Sequence, residues 1–412
     1  MELEQSKLYD ILIACLKKDK CGPEAAAVSA LSAQDWHNLL ALSTIQRVTS
    51  LLWHRLKQKN LETLVPETTA AQLRESFRHN TMNNMRLNGE LRLLLLKLNA
   101  ENIPLILLKG IVLANTVYEN IGLREMNDID VLTQPDDLQR IADILTGMGY
   151  KPLQPFRTDV TIQTAYHLPG FIKKGHAKIE VHWTITHPNT NYSIEPHGLW
   201  KRAVPVQISG CQTLMLSPED LFLHLCLHTS YLHPFTFGLR PFCDIAETID
   251  HFGSALNWET VVERAISQHW QRGVYLALQM AVELAGASVP DHVMEKLQPV
   301  DISETILETA RTQIFTDKYF ATSIPTSFAQ LLESRRLSDK FKIFWRRVFL
   351  PKALIANNYS IPIDSLIIYV CYLRRVYDVL RRHGSTFNKF QKNDSAVKSL
   401  ADRKKIIADW ME

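Results

Sequence analysis

The strongest constraint on the fold is a change of sequence pattern near residue 103. Residues 70–99 contain almost no Gly or Pro and carry apolar side chains at helical spacing, which predicts one long amphipathic helix. The next run, residues 103–110 (IPLILLKG), is short, apolar and bounded by Pro and Gly, a pattern typical of a buried strand. The chain must therefore place a sheet beside helices.

This alternation of strand and helix continues along the chain. Residues 111–120 predict a helix, residues 128–133 (DIDVLT) a second strand, and residues 135–149 a helix that opens with Pro and acidic residues. Residues 160–216 show alternating polarity around Gly-containing turns, which predicts antiparallel hairpins. A helical pattern returns at Ser217. The predicted fold class is therefore α+β or α/β, a mixed-sheet core flanked by N-terminal and C-terminal helical regions.

With 412 residues, the chain is long enough for more than one compact unit. The patterns predict an N-terminal helical region at 1–100, an α/β core at 101–216, a helical domain at 217–382, and a basic polar tail with a short terminal helix at 383–412. Because residues 383–402 are mostly polar, we expect that part of the tail to be loose.

Composition and charge favour a soluble, cytoplasmic protein. Hydrophobic residues make up 46% of the chain and charged residues 22%, and the polar, charged N-terminus is unlike a signal peptide. The six cysteines are scattered without a CxxC pair, as expected of reduced thiols. No apolar run approaches the length that is needed to cross a bilayer.

Positive charge is concentrated towards the C-terminus. Residues 334–412 hold 17 Lys and Arg against 7 Asp and Glu, and residues 344–349 and 372–383 interleave aromatic side chains with arginines. Such a region can attract nucleic acid or an anionic membrane surface. Solvated helix faces explain the same charges more simply, and we favour that interpretation.

The Asp128-Ile129-Asp130 motif carries the clearest chemical signal. Alternate residues of a strand face the same side, so the two carboxylates lie together while Ile129 faces the core. Adjacent like charges are costly unless a cation lies between them, and Mg²⁺ prefers carboxylate oxygens and substrate phosphates as ligands. For an isolated motif of this kind, the alternative is a solvated strand end.

Residues 179–183 (IEVHW) predict another strand, with Glu180 and His182 on one face. If this strand pairs beside DIDVL, Glu180 supplies a third carboxylate, which binds metal or takes the proton of an acceptor hydroxyl. His182 then faces the same substrate cleft. The alternative is a glutamate at the rim of an edge strand.

Lys109-Gly110 and Arg124 are the candidate nucleotide-binding residues. Gly110 permits close backbone approach to a ligand just before a helix, and Lys109 adds a positive charge. Arg124 precedes the aspartates by four residues and can bind phosphate oxygens bidentately. Either cation could equally form an exposed salt bridge.

The helix after Ser217 carries further polar candidates. His224 and His228 are one turn apart and His233 follows, a spacing that permits a metal site. No HExxH glutamate accompanies them, so core positions or substrate contacts are favoured. Arg240 and Asp244 have the spacing of an intrahelical ion pair.

The chain also resembles a known family over roughly residues 30–290. The run LLKGIVLANTVYENIGLREMNDIDVL is similar to the core of a family of bacterial nucleotidyltransferases, whose members carry a Leu-Lys-Gly, then a Tyr, an Arg and a D-[IV]-D. The later runs IEVHW and LHLCLH and residues 239–245 match as well. The members of this family look like remote relatives of the DNA polymerase β-type nucleotidyltransferase fold.

This resemblance implies roles for individual residues. It assigns Mg²⁺, or Mn²⁺, to three carboxylates, namely Asp128, Asp130 and Glu180. It also implies a position near the cleft for His228 and Asp244. The superfamily usually has a Gly-Ser pair where this chain has Lys109-Gly110, and this departure leaves the mode of phosphate binding open.

Together, the motifs and the resemblance predict a Mg²⁺-dependent nucleotidyltransferase. The expected donor is an NTP, with ATP foremost, and the acceptor is a small molecule, a peptide or a protein. One alternative is a phosphotransferase on the same scaffold. Another is a non-catalytic module that binds nucleotide or RNA.

Overall fold

A computed structural model describes residues 5–18, 24–188, 190–192, 194, 196–316, 350, 352–359, 361, 365–391 and 395–412. The helices are α1 (Gln5–Leu16), α2 (Glu24–Ser29), α3 (Ala33–Ile45), α4 (Thr49–Gln58), α5 (Glu67–Ala100), α6 (Lys109–Val112), α7 (Leu138–Gly147), α8 (Thr158–Thr164), α9 (Pro196–Arg202), α10 (Pro218–Leu227), α11 (Arg240–Phe252), α12 (Trp258–Ser267), α13 (Gln271–Ala285), α14 (Asp291–Leu297), α15 (Glu304–Ile314), α16 (Lys352–Tyr359), α17 (Ile367–Gln391) and α18 (Ser395–Met411). Turns of π-helix follow α6 and α10, at Leu113–Val117 and His228–Leu232.

The strands of the described residues form one mixed sheet. They are β1 (Ile106–Leu108), β2 (Asp128–Leu132), β3 (Lys151–Pro152), β4 (Phe171–Ile172), β5 (Lys178–His182), β6 (Val204–Ile208) and β7 (Cys211–Met215), in the order β3-β4-β5-β2-β1-β7-β6. β1 runs antiparallel to β2 and parallel to β7, and β2 runs parallel to β5. This mixed sheet with its helical flanks confirms the predicted fold class.

Both predicted hairpins form, because their turns contain residues that tolerate a positive φ. Between β4 and β5, Gly175 has a φ of 77°. Between β6 and β7, Ser209 and Gly210 have φ values of 53° and 74°. Positive φ at the centre of a tight turn matches the twist of the two strands that it joins.

The long helix α5 is the one that residues 70–99 predicted, and it holds the loop that leads into β2. One face of this helix buries leucines in the core, among them Leu87, Leu91 and Leu94. Its polar side chains bind that loop: Asn80 donates to the carbonyl of Gly122, and Asn84 donates to the carbonyl of Arg124 at 2.8 Å. The helix thereby fixes the segment just before the Asp128-Ile129-Asp130 motif.

The C-terminal residues correct one expectation. The sequence predicted a loose chain at 383–402, yet α17 continues to Gln391 and α18 begins at Ser395. The reason is burial at the far end: Ile407 and Trp410 of α18 join the main core, where the helix packs on α15. Residues 344–349 lie outside the described residues, and the boundaries of the four regions stay predictions.

Among the described residues, no helix combines the length and the apolar character that crossing a membrane requires. The cysteines that the structure describes are free and buried, at Cys15, Cys211, Cys226, Cys243 and Cys371.

Candidate active site

The candidate site is built on three neighbouring strands. The parallel register of β2 and β5 places Asp130 directly beside Glu180, so the predicted pairing of these strands is confirmed. On the other side, Leu108 at the end of β1 pairs with Asp130, and the next residue, Lys109, reaches the same place. Since alternate residues of a strand face the same side, His182 lies on the same face of β5 as Glu180.

Asp130, Glu180 and His182 form a compact group of possible metal ligands. Their ligand atoms lie within 4.8 Å of one another. His182 Nε2 is 3.0 Å from Asp130 Oδ1 and 3.8 Å from Glu180 Oε2. Lys109 Nζ donates to the same Asp130 oxygen at 3.0 Å. Asp128, predicted as a further ligand, lines the same cavity outside this group.

The charges of this group depend on one another. Burial would raise the pKa of Asp130, but Lys109 and the hydrogen bond with His182 hold it well below its ordinary value of 3.8. Burial would lower the pKa of Lys109, but Asp130 and Glu180 raise it above its ordinary value. Burial and the charge of Lys109 lower the pKa of His182 to about 3. At neutral pH, His182 is therefore the neutral imidazole that can bind a metal.

The backbone at the end of β1 is shaped by a second cation. Lys109 has a φ of 48°, a left-handed conformation that is strained for a side chain with a Cβ. A Cβ on the next residue, Gly110, would lie 2.3 Å from Nη1 of Arg124. Gly110 therefore makes room for the Arg124 guanidinium. The predicted contact of Gly110 with a nucleotide stays a prediction.

Arg124 is bound to α11 by a buried ion pair. Its Nε and Nη2 donate to the two carboxylate oxygens of Asp244 at 3.0 and 2.9 Å, and the Tyr118 hydroxyl donates to Asp244 at 2.8 Å. The side chains of Arg124 and Asp244 are only 6% and 4% exposed. The predicted pair of Arg240 with Asp244 is wrong, because Asp244 binds these two partners and Arg240 donates to the carbonyl of Glu125.

These groups open onto a cavity of about 350 Å³. Of the residues predicted as catalytic, nucleotide-binding or cleft residues, Lys109, Gly110, Arg124, Asp128, Asp130, Glu180, His228 and Asp244 line it. His182 is buried beneath it, in contact with Asp130. The other lining residues are Arg47, Tyr166, His167, Lys178, Leu225, Thr229, His233, Phe237, Arg240 and Pro241.

The histidines of α10 and its π-turn divide between core and cavity. His224 is 1% exposed, and burial lowers its pKa well below 6.5. His228 and His233 line the cavity, where the His228 ring stacks nearly parallel to Phe237, with ring centroids 5.8 Å apart. One core position and two cleft positions agree with the favoured interpretation of these residues.

Sequence reasoning missed several lining residues, and only some of them left a signal. Lys178 lies two residues before Glu180 on β5, so strand alternation alone could have placed it in the cavity. Arg47 lies in the turn between α3 and α4, far from the motifs along the chain, and no periodic pattern identifies it.

Comparison with known proteins adds one finding. No curated protein and no solved structure gives a significant match to the chain. A protein-family model described as an uncharacterised nucleotidyltransferase matches residues 32–286, which is more than half of the chain and includes the whole cavity. The chain therefore belongs to this family of nucleotidyltransferases, which are transferases of phosphorus-containing groups.

Proposed function

We propose that this protein transfers a nucleotidyl group from an NTP, with ATP as the expected donor, to a polar acceptor in a Mg²⁺-dependent reaction. The observation that carries the proposal is the group of Asp130, Glu180 and His182, which lies beside a cavity rich in cations. Membership of the nucleotidyltransferase family supports the reaction class.

The residues present fit a divalent cation. Two carboxylates and a neutral imidazole supply the donor atoms, and Asp128 adds a carboxylate to the same cavity. Mg²⁺ or Mn²⁺ bound there would neutralise phosphate charge and lower the pKa of an acceptor hydroxyl.

The side chains of the protein orient the reactants and handle the proton. Lys109 holds Asp130 ionised and in place. Lys178 donates to one oxygen of Glu180, whose side chain lines the cavity, so Glu180 can accept the proton of the acceptor. The acceptor oxygen then forms a bond to the α-phosphorus, the bond between the α-phosphorus and its bridging oxygen breaks, and pyrophosphate leaves.

A second cavity, of about 430 Å³, is the proposed entry for the acceptor, because it shares Arg47 with the first. The residues that line it all have polar side chains: Thr44, Arg47, Thr49, Glu75, Ser76, His79, Asn80, Asn83, Glu125 and Asn127. We therefore expect an acceptor rich in hydrogen-bonding groups. Ser76→Trp should raise KM for that acceptor and leave KM for ATP unchanged. A change in KM for ATP alone would contradict this placement.

The reaction class is tested with ATP labelled at the α- or the γ-phosphate. Nucleotidyl transfer moves the α-label to the acceptor and releases pyrophosphate, whereas phosphoryl transfer moves the γ-label and releases ADP. Asp130→Asn serves as the inactive control. A γ-labelled acceptor would replace the proposal with the phosphotransferase. Salt-sensitive RNA binding without any turnover would favour the non-catalytic module.

A further inference from the structure

We propose that Arg47 and Arg240 form the binding site for the polyphosphate chain of the nucleotide, on the part of the cavity wall that the helices build. Only the identity of the anion, a nucleoside triphosphate, rests on the proposed function. The anion site itself is argued from the charges around the cavity.

Most cations in the cavity are already committed to acidic partners. Lys and Arg side chains contribute five lining residues, and three of them form ion pairs: Lys109–Asp130, Lys178–Glu180 and Arg124–Asp244. Within the described part of the chain, Arg47 and Arg240 form no ion pair. Both lie close enough to Glu125 to oppose the rise that burial causes in the pKa of its carboxyl group, but neither forms an ion pair with it. They are therefore the two lining cations with the most charge left for an anionic ligand.

Arg240 bears the clearest sign of a missing partner. A guanidinium has five N–H donors, yet a single hydrogen bond of this side chain, from Nη1 to the carbonyl of Glu125 at 3.0 Å, reaches another described residue. Its Nε is buried without any partner. Burial and the nearby charge of Arg124 lower the pKa of Arg240 to about 10. Arg240 is half-buried, and a guanidinium whose buried Nε lacks a partner is costly unless an anion completes its surroundings.

Arg47 brings a second guanidinium from a segment much earlier in the chain. It has a φ of 57°, an unusual left-handed conformation for Arg, in the turn between α3 and α4. It lies near enough to Arg240 to oppose its charge, as Arg124 also does. Arg124 is neutralised by Asp244, so Arg47 and Arg240 are the two neighbouring guanidinium groups without an ion pair, and together they favour a ligand that carries several negative charges.

A polyphosphate fits these requirements better than a single carboxylate does. Its oxygens accept paired hydrogen bonds from the planar fork of each Arg side chain. The helix α11 begins at Arg240, and Pro241 also lines the cavity, so the positive end of the helix dipole adds to the same field. The site therefore draws on the N-terminal helices and on α11, while the sheet supplies the carboxylates.

The test uses inorganic tripolyphosphate as the probe, titrated calorimetrically into metal-free protein. We expect Arg47→Gln and Arg240→Gln each to weaken binding about tenfold or more, because each removes a charge-assisted contact. Arg140→Gln, an exposed change on α7, is the matched control and should bind as the unaltered protein does. Arg240→Lys keeps the charge without the fork and should fall between. Unaltered binding by both Gln variants would overturn the site.

Thermal unfolding of the ligand-free variants separates binding from folding. Arg240→Gln removes a repelled charge, so its melting temperature should stay close to that of the unaltered protein. A variant that unfolds at a much lower temperature would instead assign Arg240 a structural role and contradict the proposal.

Steady-state assays separate this inference from the proposed function. Release of ADP in place of pyrophosphate would contradict nucleotidyl transfer without contradicting the anion site. Normal pyrophosphate release with an unchanged KM for ATP in both Gln variants would remove the anion site and leave the function standing.

Discussion

The two walls of the cavity are built on different principles. On the sheet wall, the charged residues that β1, β2 and β5 bring together at Asp130 and Glu180 are paired with one another. On the helical wall, Arg47 and Arg240 come from segments far apart in the chain and form no ion pair with any described residue. The charges of Asp130 and Glu180 on the sheet wall are balanced within the protein. The positive charges of the helical wall can still bind an anionic ligand.

Arg124 joins the two walls. It lies in the loop that leads into β2, and it binds Asp244 of α11, which is 120 residues away along the chain. Tyr118 binds the same carboxylate. The Tyr and the Arg of the motif, together with the Asp of the 239–245 segment, therefore meet in one buried cluster.

The largest expected effect concerns this link. Arg124→Gln should lower the free energy of unfolding by about 3–5 kcal/mol, because it leaves the buried Asp244 charge without its partner. Urea denaturation measures the change. Arg240→Gln, on the helical wall and without an ion pair, is the control and should cost much less. Equal losses in the two variants would show that the two walls do not differ in this way.

The next effect concerns catalysis on the sheet wall. Asp130→Asn should slow pyrophosphate release about 100- to 1000-fold, because it removes a charged group from the centre of the site. Asp128→Asn should slow the reaction less, since Asp128 lies outside the compact ligand group. Initial rates with ATP measure both changes. A larger loss in the Asp128 variant would move the centre of the site along β2.

A smaller effect concerns the space beside the link. Gly110→Ala should lower the free energy of unfolding by about 1–3 kcal/mol, because the new Cβ would overlap Nη1 of Arg124 and displace it. Gly89→Ala on α5 is the matched control, since a Cβ there meets nothing within 4 Å. That control should be neutral or slightly stabilising. If both variants were equally stable, Arg124 would have room to move.

The smallest effect is a pH dependence in the core. Burial and the charge of Lys109 lower the pKa of His224 well below 6.5, so the folded protein keeps this imidazole neutral. The unfolded chain binds a proton there below about pH 6.5, so stability is lost as the pH falls. When the pH falls from 7.5 to 5.5, we expect the free energy of unfolding of His224→Phe to decrease by about 1 kcal/mol less than that of the unaltered protein. Parallel losses in urea denaturation would contradict this.

Much of the fold and part of the site could be predicted from local pattern. The helix α5, the turns at Gly175 and Gly210, and the strand that holds Asp128 and Asp130 follow from preferences that act over a few residues. Which strands lie side by side could not be predicted in the same way. The sequence argument for Glu180 depended on β5 pairing with β2, and the structure shows this pairing and its register.

The sequence by itself determined which carboxylates share a strand face, because the alternation of side chains along a strand is a local geometric rule. Only the tertiary structure decided which charges are paired. It gave Asp244 to Arg124 in place of Arg240, brought Arg47 into the cavity, and ordered α18 by burying Trp410. The physical reason is distance along the chain. An ion pair or a buried helix face depends on segments that only the packing of the whole chain brings together, so local sequence patterns cannot predict it.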